Sequence, residues 1–158
     1  MERVDVEQRA EKARRFFLEG YNCAQAVVLD YCDLFDISPS LAASISAPLG
    51  GGMGRLREVC GAVSGMFMVA GLFYKNDIPS DMTKRKIVYS TVQDLAEKSK
   101  ALNGSIICRE LLGLDHKSDS PTPEARTETY YKRRPCADYV ASAARLIGEK
   151  LNEVSEEM

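Results

Sequence analysis

Sixteen consecutive residues, Val59 to Tyr74, carry no charge, and this run dictates most of what the chain can become. It is shorter than the roughly 20 apolar residues that cross a bilayer. It is also interrupted by Gly61, Ser64, Gly65 and Gly71, so the reading is a helix buried among other helices. Gly61 and Gly65, four apart, would let a neighbouring backbone come close. A chain of 158 residues is long enough to enclose one such core.

The flanking sequence supplies the surrounding helices. Val6, Ala10, Ala13 and Phe17 recur at helical spacing, with Gly20 placed to close that helix in the left-handed region. Asn22 is a helix cap ahead of the stripe Ala24, Val27, Val28, Tyr31 and Phe35. Ser38 with Pro39 starts a short helix through Ala47. After Pro48, the run Gly50-Gly51-Gly52-Met53-Gly54 requires a loop, since glycine costs a helix about 1 kcal/mol per residue relative to alanine. Pro79-Ser80 opens a long helix with Ile87, Val88, Thr91, Val92, Leu95, Ala96 and Leu102 inward, stopped at Asn103-Gly104. Ser105 caps a short helix that Gly113 ends. The polar stretch from Asp115 to Glu128 reads as an exposed loop, and Pro135 opens a last helix with Ala137, Val140, Ala141, Ala144 and Leu151 inward. No segment reads as a strand. The expected fold is all-α: one domain over residues 1–158, a bundle of five or six helices around Val59 to Tyr74.

Charge narrows the function. With 21 basic and 23 acidic residues the net charge is -2, which argues against nucleic acid and membrane surfaces as partners. Met1 to Arg15 lacks the apolar stretch of a secretory signal, so a cytoplasmic location is expected. A reduced compartment and an odd count of five cysteines both argue against a full disulfide framework.

The cysteines stand at positions 23, 32, 60, 108 and 136, and no two form a Cys-x-x-Cys pair. Cys23 follows Asn22, Cys108 is three after Ser105, and Cys136 follows Pro135, so each falls in the first turn of an expected helix. Cys60 lies near the start of the central helix. Free N–H groups and the helix dipole favour a thiolate there, as do Arg57 near Cys60 and Arg133 and Arg134 before Cys136. The expectation is that at least two of these four thiols titrate below a free thiol. Cys32 shares a face with Val28 and Phe35 and reads as apolar filler.

Asn22-Cys23-Ala24-Gln25-Ala26-Val27, the loop Gly50 to Gly54, and Glu58-Val59-Cys60-Gly61-Ala62-Val63-Ser64-Gly65 resemble the C_GCAxxG_C_C family of putative redox-active proteins. The resemblance runs from about Gly20 to Val140, with Cys108 and Cys136 as the last two cysteines, and it implies redox or metal chemistry without a substrate.

Three readings stay open. Cys23, Cys60, Cys108 and Cys136 would cycle between dithiol and disulfide, as an oxidoreductase needs. Alternatively they would ligate zinc or an iron–sulfur cluster, although every sulfur then comes from a different segment. In the third reading the cysteines only pack and the protein is a ligand-binding or interaction module. Its binding loop would be Gly51, Gly52 and Gly54 with Arg55, whose N–H groups could hold an anion, against the plainer reading of a tight turn. His116, beside Asp115 and Lys117, reads as a solvated side chain, and Met66 and Met68 as core. The partner would be a redox protein or a small ligand, and a homodimer is compatible with the sequence.

Overall fold

Side chains that bond the first free N–H groups set the helix starts. The computed structural model describes residues 1–157. Asp5 accepts from Gln8 N–H at 3.1 Å and opens α1 (Val6–Leu18). Gly20 leaves that helix with φ +111°, in the left-handed region its position predicted. Asn22 and Gln25 form a reciprocal capping box at α2 (Cys23–Tyr31), with bonds of 2.9 and 3.0 Å. Ser38 caps α3 (Pro39–Ser46), whose first residue is the proline. The uncharged run forms α4 (Gly61–Tyr74). A long helix α5 (Met82–Asn103), the four-residue α6 (Cys108–Leu111), α7 (Glu128–Arg133) and α8 (Cys136–Glu157) follow.

Gly50–Met53 has helical hydrogen bonding, but Gly51, Gly52 and Met53 all have positive φ, so it is a glycine turn, as expected. The fold is all-α, and among the described residues there is no strand, only an isolated bridge between Val59 and Ile107. No helix is long and apolar enough to cross a membrane.

Four expectations need correction. Helix α5 starts at Met82, because Asp81 rather than Pro79-Ser80 supplies the cap, accepting from Lys84 N–H at 2.9 Å. Of its expected inward face only Thr91 and Leu95 are buried, joined by Ser99, while Ile87 and Leu102 are exposed. It lies outside the bundle and touches α4 and α8 along one narrow stripe at i, i+4 and i+8. Ser105 does not cap α6 but accepts from Ile107 N–H two residues on. The described residues form eight α-helices besides the glycine turn, against the five or six expected in the bundle; α7, which Thr127 caps, is too short to show a periodicity.

Helix α4 packs on α2, α8 and α5, and α1 packs on α8 and α2. Its Ala62, Val63, Met66, Val69 and Ala70 are buried, each of the larger ones contributing about 1.5–3 kcal/mol. A Cβ on Gly65 would lie 2.9 Å from the Ala24 carbonyl oxygen, so the glycine lets α2 and α4 meet backbone to backbone. The Tyr31 hydroxyl donates to the Ala144 carbonyl at 2.8 Å and ties α2 to α8.

Asp30 is fully buried, and neither carboxylate oxygen has a hydrogen-bond partner among the described residues. Arg9 donates instead to the Asp30 backbone carbonyl and to Asp33. Burial pushes the Asp30 carboxyl up to about 8, against the pull of Arg9 and Lys12. An acid raised in the folded state favours folding most when it is protonated in both states, below its unfolded value of 3.8, and that contribution is lost as pH rises to about 8. Asp30→Asn has no proton to lose. Urea unfolding should therefore show its advantage over wild type growing by at least about 2 kcal/mol from pH 4 to pH 8. Parallel pH profiles for the two proteins would contradict it.

Candidate functional site

Four helix starts meet around one cavity of about 550 Å³, and Cys23, Cys60, Cys108 and Cys136 all line it. Cys23 is the first residue of α2, Cys108 of α6 and Cys136 of α8, while Cys60 immediately precedes α4. Cys60 and Cys108 are buried, and Cys23 and Cys136 are half-buried.

Glycines and a short backbone pairing bring the sulfurs together. A Cβ on Gly61 would stand 2.4 Å from the Cys23 sulfur and 2.9 Å from the Leu49 carbonyl oxygen. The sulfur of α2 therefore sits against the start of α4 only because residue 61 has no side chain. Around the Val59–Ile107 bridge, Cys60 N–H donates to the Ile106 carbonyl at 2.8 Å and Cys108 N–H to the Glu58 carbonyl at 2.6 Å. Gly52, at φ +68°, backs Cys108 from behind.

Cys32 lies elsewhere. It packs with Val28, Leu29 and Ala42 in a separate apolar cluster, and its thiol donates to the Leu29 carbonyl at 3.3 Å. Cys32→Ala should leave thiol reactivity in the cavity at the wild-type rate and cost about 1 kcal/mol of stability from lost packing. Kinetic thiol counting and a denaturant titration measure the two separately.

Burial dominates the electrostatics. It raises the Cys60 thiol far above the ordinary range, with the Cys23 charge adding to the rise and the Val63 and Ala62 N–H groups opposing it. Burial also pushes Cys136 up to about 12, again with Cys23 adding. Cys108 is raised by burial despite the Arg57 guanidinium, whose Nη1 donates to its sulfur at 3.6 Å. With three of the four raised, the expectation of at least two lowered thiols does not hold. Cys23, Cys108 and Cys136 do stand at helix starts, but removing a thiolate from water outweighs the N–H groups there. Cys23 is the common neighbour, since its charge acts on each of the other three.

The segment read as an exposed loop furnishes much of the cavity wall. Pro121, Pro123, Glu124 and Arg126 line it, together with Arg55, Arg57 and Arg134. Arg57, buried and at φ +59°, donates through Nε to Asp119 at 2.7 Å. Arg134 and Arg133 each reach Glu124 at 2.6 Å, and Arg55 and Arg57 approach it at 3.9 Å. Arg126 lies over the Phe17 ring at 4.3 Å and donates to the carbonyls of Phe17 and Tyr21. No local motif in the sequence marks Asp119, Glu124 or Arg126, because their partners are distant in the chain. Tyr130 lines the cavity, and Tyr131 meets it edge-on at 5.5 Å.

Of the proposed glycine loop, Gly51, Gly54 and Arg55 line the cavity, and Gly52 does not. The N–H groups of Gly54, Leu56, Arg57 and Glu58 donate to carbonyls within the turn itself. Of the four N–H groups of the proposed loop, that of Gly54 is therefore used by the turn. His116 is bonded at 2.9 Å to Asp115 and at 2.7 Å to Asp119, on the outer side of Asp119 from Arg57.

Metal ligation fits these residues poorly. Among the described residues no group of three or more His, Cys, Asp or Glu side chains is arranged to hold an ion.

Residues 21–150 match the family described as "Putative redox-active protein (C_GCAxxG_C_C)". No curated protein and no solved structure matches the chain.

Proposed function

Because this chain belongs to the C_GCAxxG_C_C family, we propose that it is a thiol redox protein in which Cys23 and Cys60 cycle between dithiol and disulfide. The observation that carries this reading is that four cysteines from four helix starts share one cavity with Cys23 as the neighbour of the other three.

Cys23 is the attacking sulfur. It is less buried than Cys60 and Cys108, so an oxidised partner reaches it first. Its thiolate attacks one sulfur of the partner's disulfide; the new bond is a mixed disulfide, and the partner's other sulfur leaves as a thiolate. Cys60 then loses its proton and attacks the Cys23 sulfur, expelling the partner's second thiolate. The protein has given two electrons, and its two thiol protons go to the two released thiols. The Ala62 and Val63 N–H groups favour the transient Cys60 thiolate. Arg57 does the same for Cys108, and Arg134 for both Cys108 and Cys136, so either can serve as a second resolving thiol.

Mild oxidation followed by peptide mapping tests this. The expected product is a monomer with three free thiols of the original five and one internal disulfide that includes Cys23 and excludes Cys32. Oxidation that yields only bonds between molecules, or a bond to Cys32, would count against it.

A further inference from the structure

The cavity's shape and charge say what kind of disulfide could enter it. Cys60 and Cys108 are each 7% exposed, behind a wall that includes Pro121, Pro123 and Arg126. A volume of about 550 Å³ falls within the range of small-molecule sites.

The lining is cationic although the whole chain is not. Four guanidiniums, Arg55, Arg57, Arg126 and Arg134, face the cavity with Glu124 as the lone lining carboxylate. Asp119 adjoins it and pairs with Arg57. Arg126 has no carboxylate partner among the described residues; only carbonyls and aromatic rings meet it. Positive charge is thus in excess at this one place on a protein of net charge -2. An enclosed, low-dielectric cleft of one sign concentrates ligands of the opposite sign. Leu111, Leu112, Tyr130 and Tyr139 supply an apolar side for the body of such a ligand.

We infer that the cavity takes a small disulfide bearing carboxylates, reduced by the dithiol to two anionic thiols. This rests on the Cys23–Cys60 reading above and adds the substrate class to it. The bond made is Cys23–Cys60, the bond broken is the ligand's S–S, and two electrons and two protons pass from protein to ligand.

Three disulfides of similar size separate the possibilities: 3,3′-dithiodipropionate with two carboxylates, 2-hydroxyethyl disulfide with no charge, and cystamine with two ammonium groups. The rate at which each converts the reduced protein to its internal disulfide is divided by its rate with an unstructured cysteine peptide. At low salt the normalised rate for the dicarboxylate should exceed that for cystamine by at least about tenfold. The ratio should fall toward unity as salt screens the field. Glu124→Gln, which removes the lone lining carboxylate, should widen the ratio, and Arg134→Gln should narrow it. A change of overall rate at constant ratio would indicate a structural effect and would overturn the charge argument. An internal disulfide formed equally fast by all three reagents would also overturn it, leaving the dithiol reading intact. No internal disulfide with any of them would remove the dithiol reading, and this inference with it.

Discussion

Cys23→Ser should slow formation of the internal disulfide by at least about a hundredfold, down to the level set by the remaining thiols. Serine has nearly the same shape, so the fold should lose no more than about 1 kcal/mol. A hydroxyl cannot attack a disulfide at neutral pH, and the Cys23 sulfur lies against the start of α4, next to Cys60. Removing it leaves the proposed pair without its attacking sulfur. Stopped-flow oxidation with thiol counting, alongside thermal unfolding, measures both quantities. A Cys23→Ser protein that still closed an internal disulfide at the wild-type rate would move the attacking role to another sulfur.

Gly52→Ala should cost about 2–5 kcal/mol, from two sources that add. Alanine at φ +68° is strained by about 1–2 kcal/mol. Its Cβ would also lie 2.6 Å from the Cys108 Cβ, 2.8 Å from the Arg57 Cα and 2.9 Å from the Glu58 nitrogen. Two of those atoms are backbone and cannot step aside, so the clash costs about 1–3 kcal/mol more. That is a large share of a domain's usual 5–15 kcal/mol or so. Damage should spread to the chemistry, because the same push displaces Cys108 from Arg57, its hydrogen-bond donor at 3.6 Å. Gly71→Ala is the natural control. No atom lies within 4 Å of its added Cβ and its φ is not positive, so helix propensity should make it neutral or stabilising by up to about 1 kcal/mol. Urea titrations of both variants decide the point, and equal midpoints would show that the turn yields more easily than its geometry implies.

Much of the backbone was readable because its causes are local. Asn22, Ser38 and Pro135 begin helices through bonds or ring geometry within four residues, and the glycines at 51, 52 and 54 take positive φ that no regular α-helix holds. The run Val59 to Tyr74 required cover because its apolar surface had no polar face. The start of α5 was read at Pro79-Ser80, and the carboxylate of Asp81, just beyond, accepts from Lys84 N–H and sets it instead. The stretch from Asp115 to Glu128 is mostly exposed, as its composition implies, while Glu124 and Arg126 turn inward to partners at Arg134 and Phe17.

From its sequence alone, this chain's Cys23 was bound to follow a helix cap, since Asn22 acts on its immediate neighbours, and Cys136 to follow the proline that opens the last helix. Only the folded molecule could decide that Cys23, Cys60, Cys108 and Cys136 share one cavity, that Cys32 does not join them, and that Cys60, Cys108 and Cys136 are raised rather than lowered. A cap's bond needs a few adjacent residues, whereas the exclusion of water from a sulfur depends on every helix packed around it.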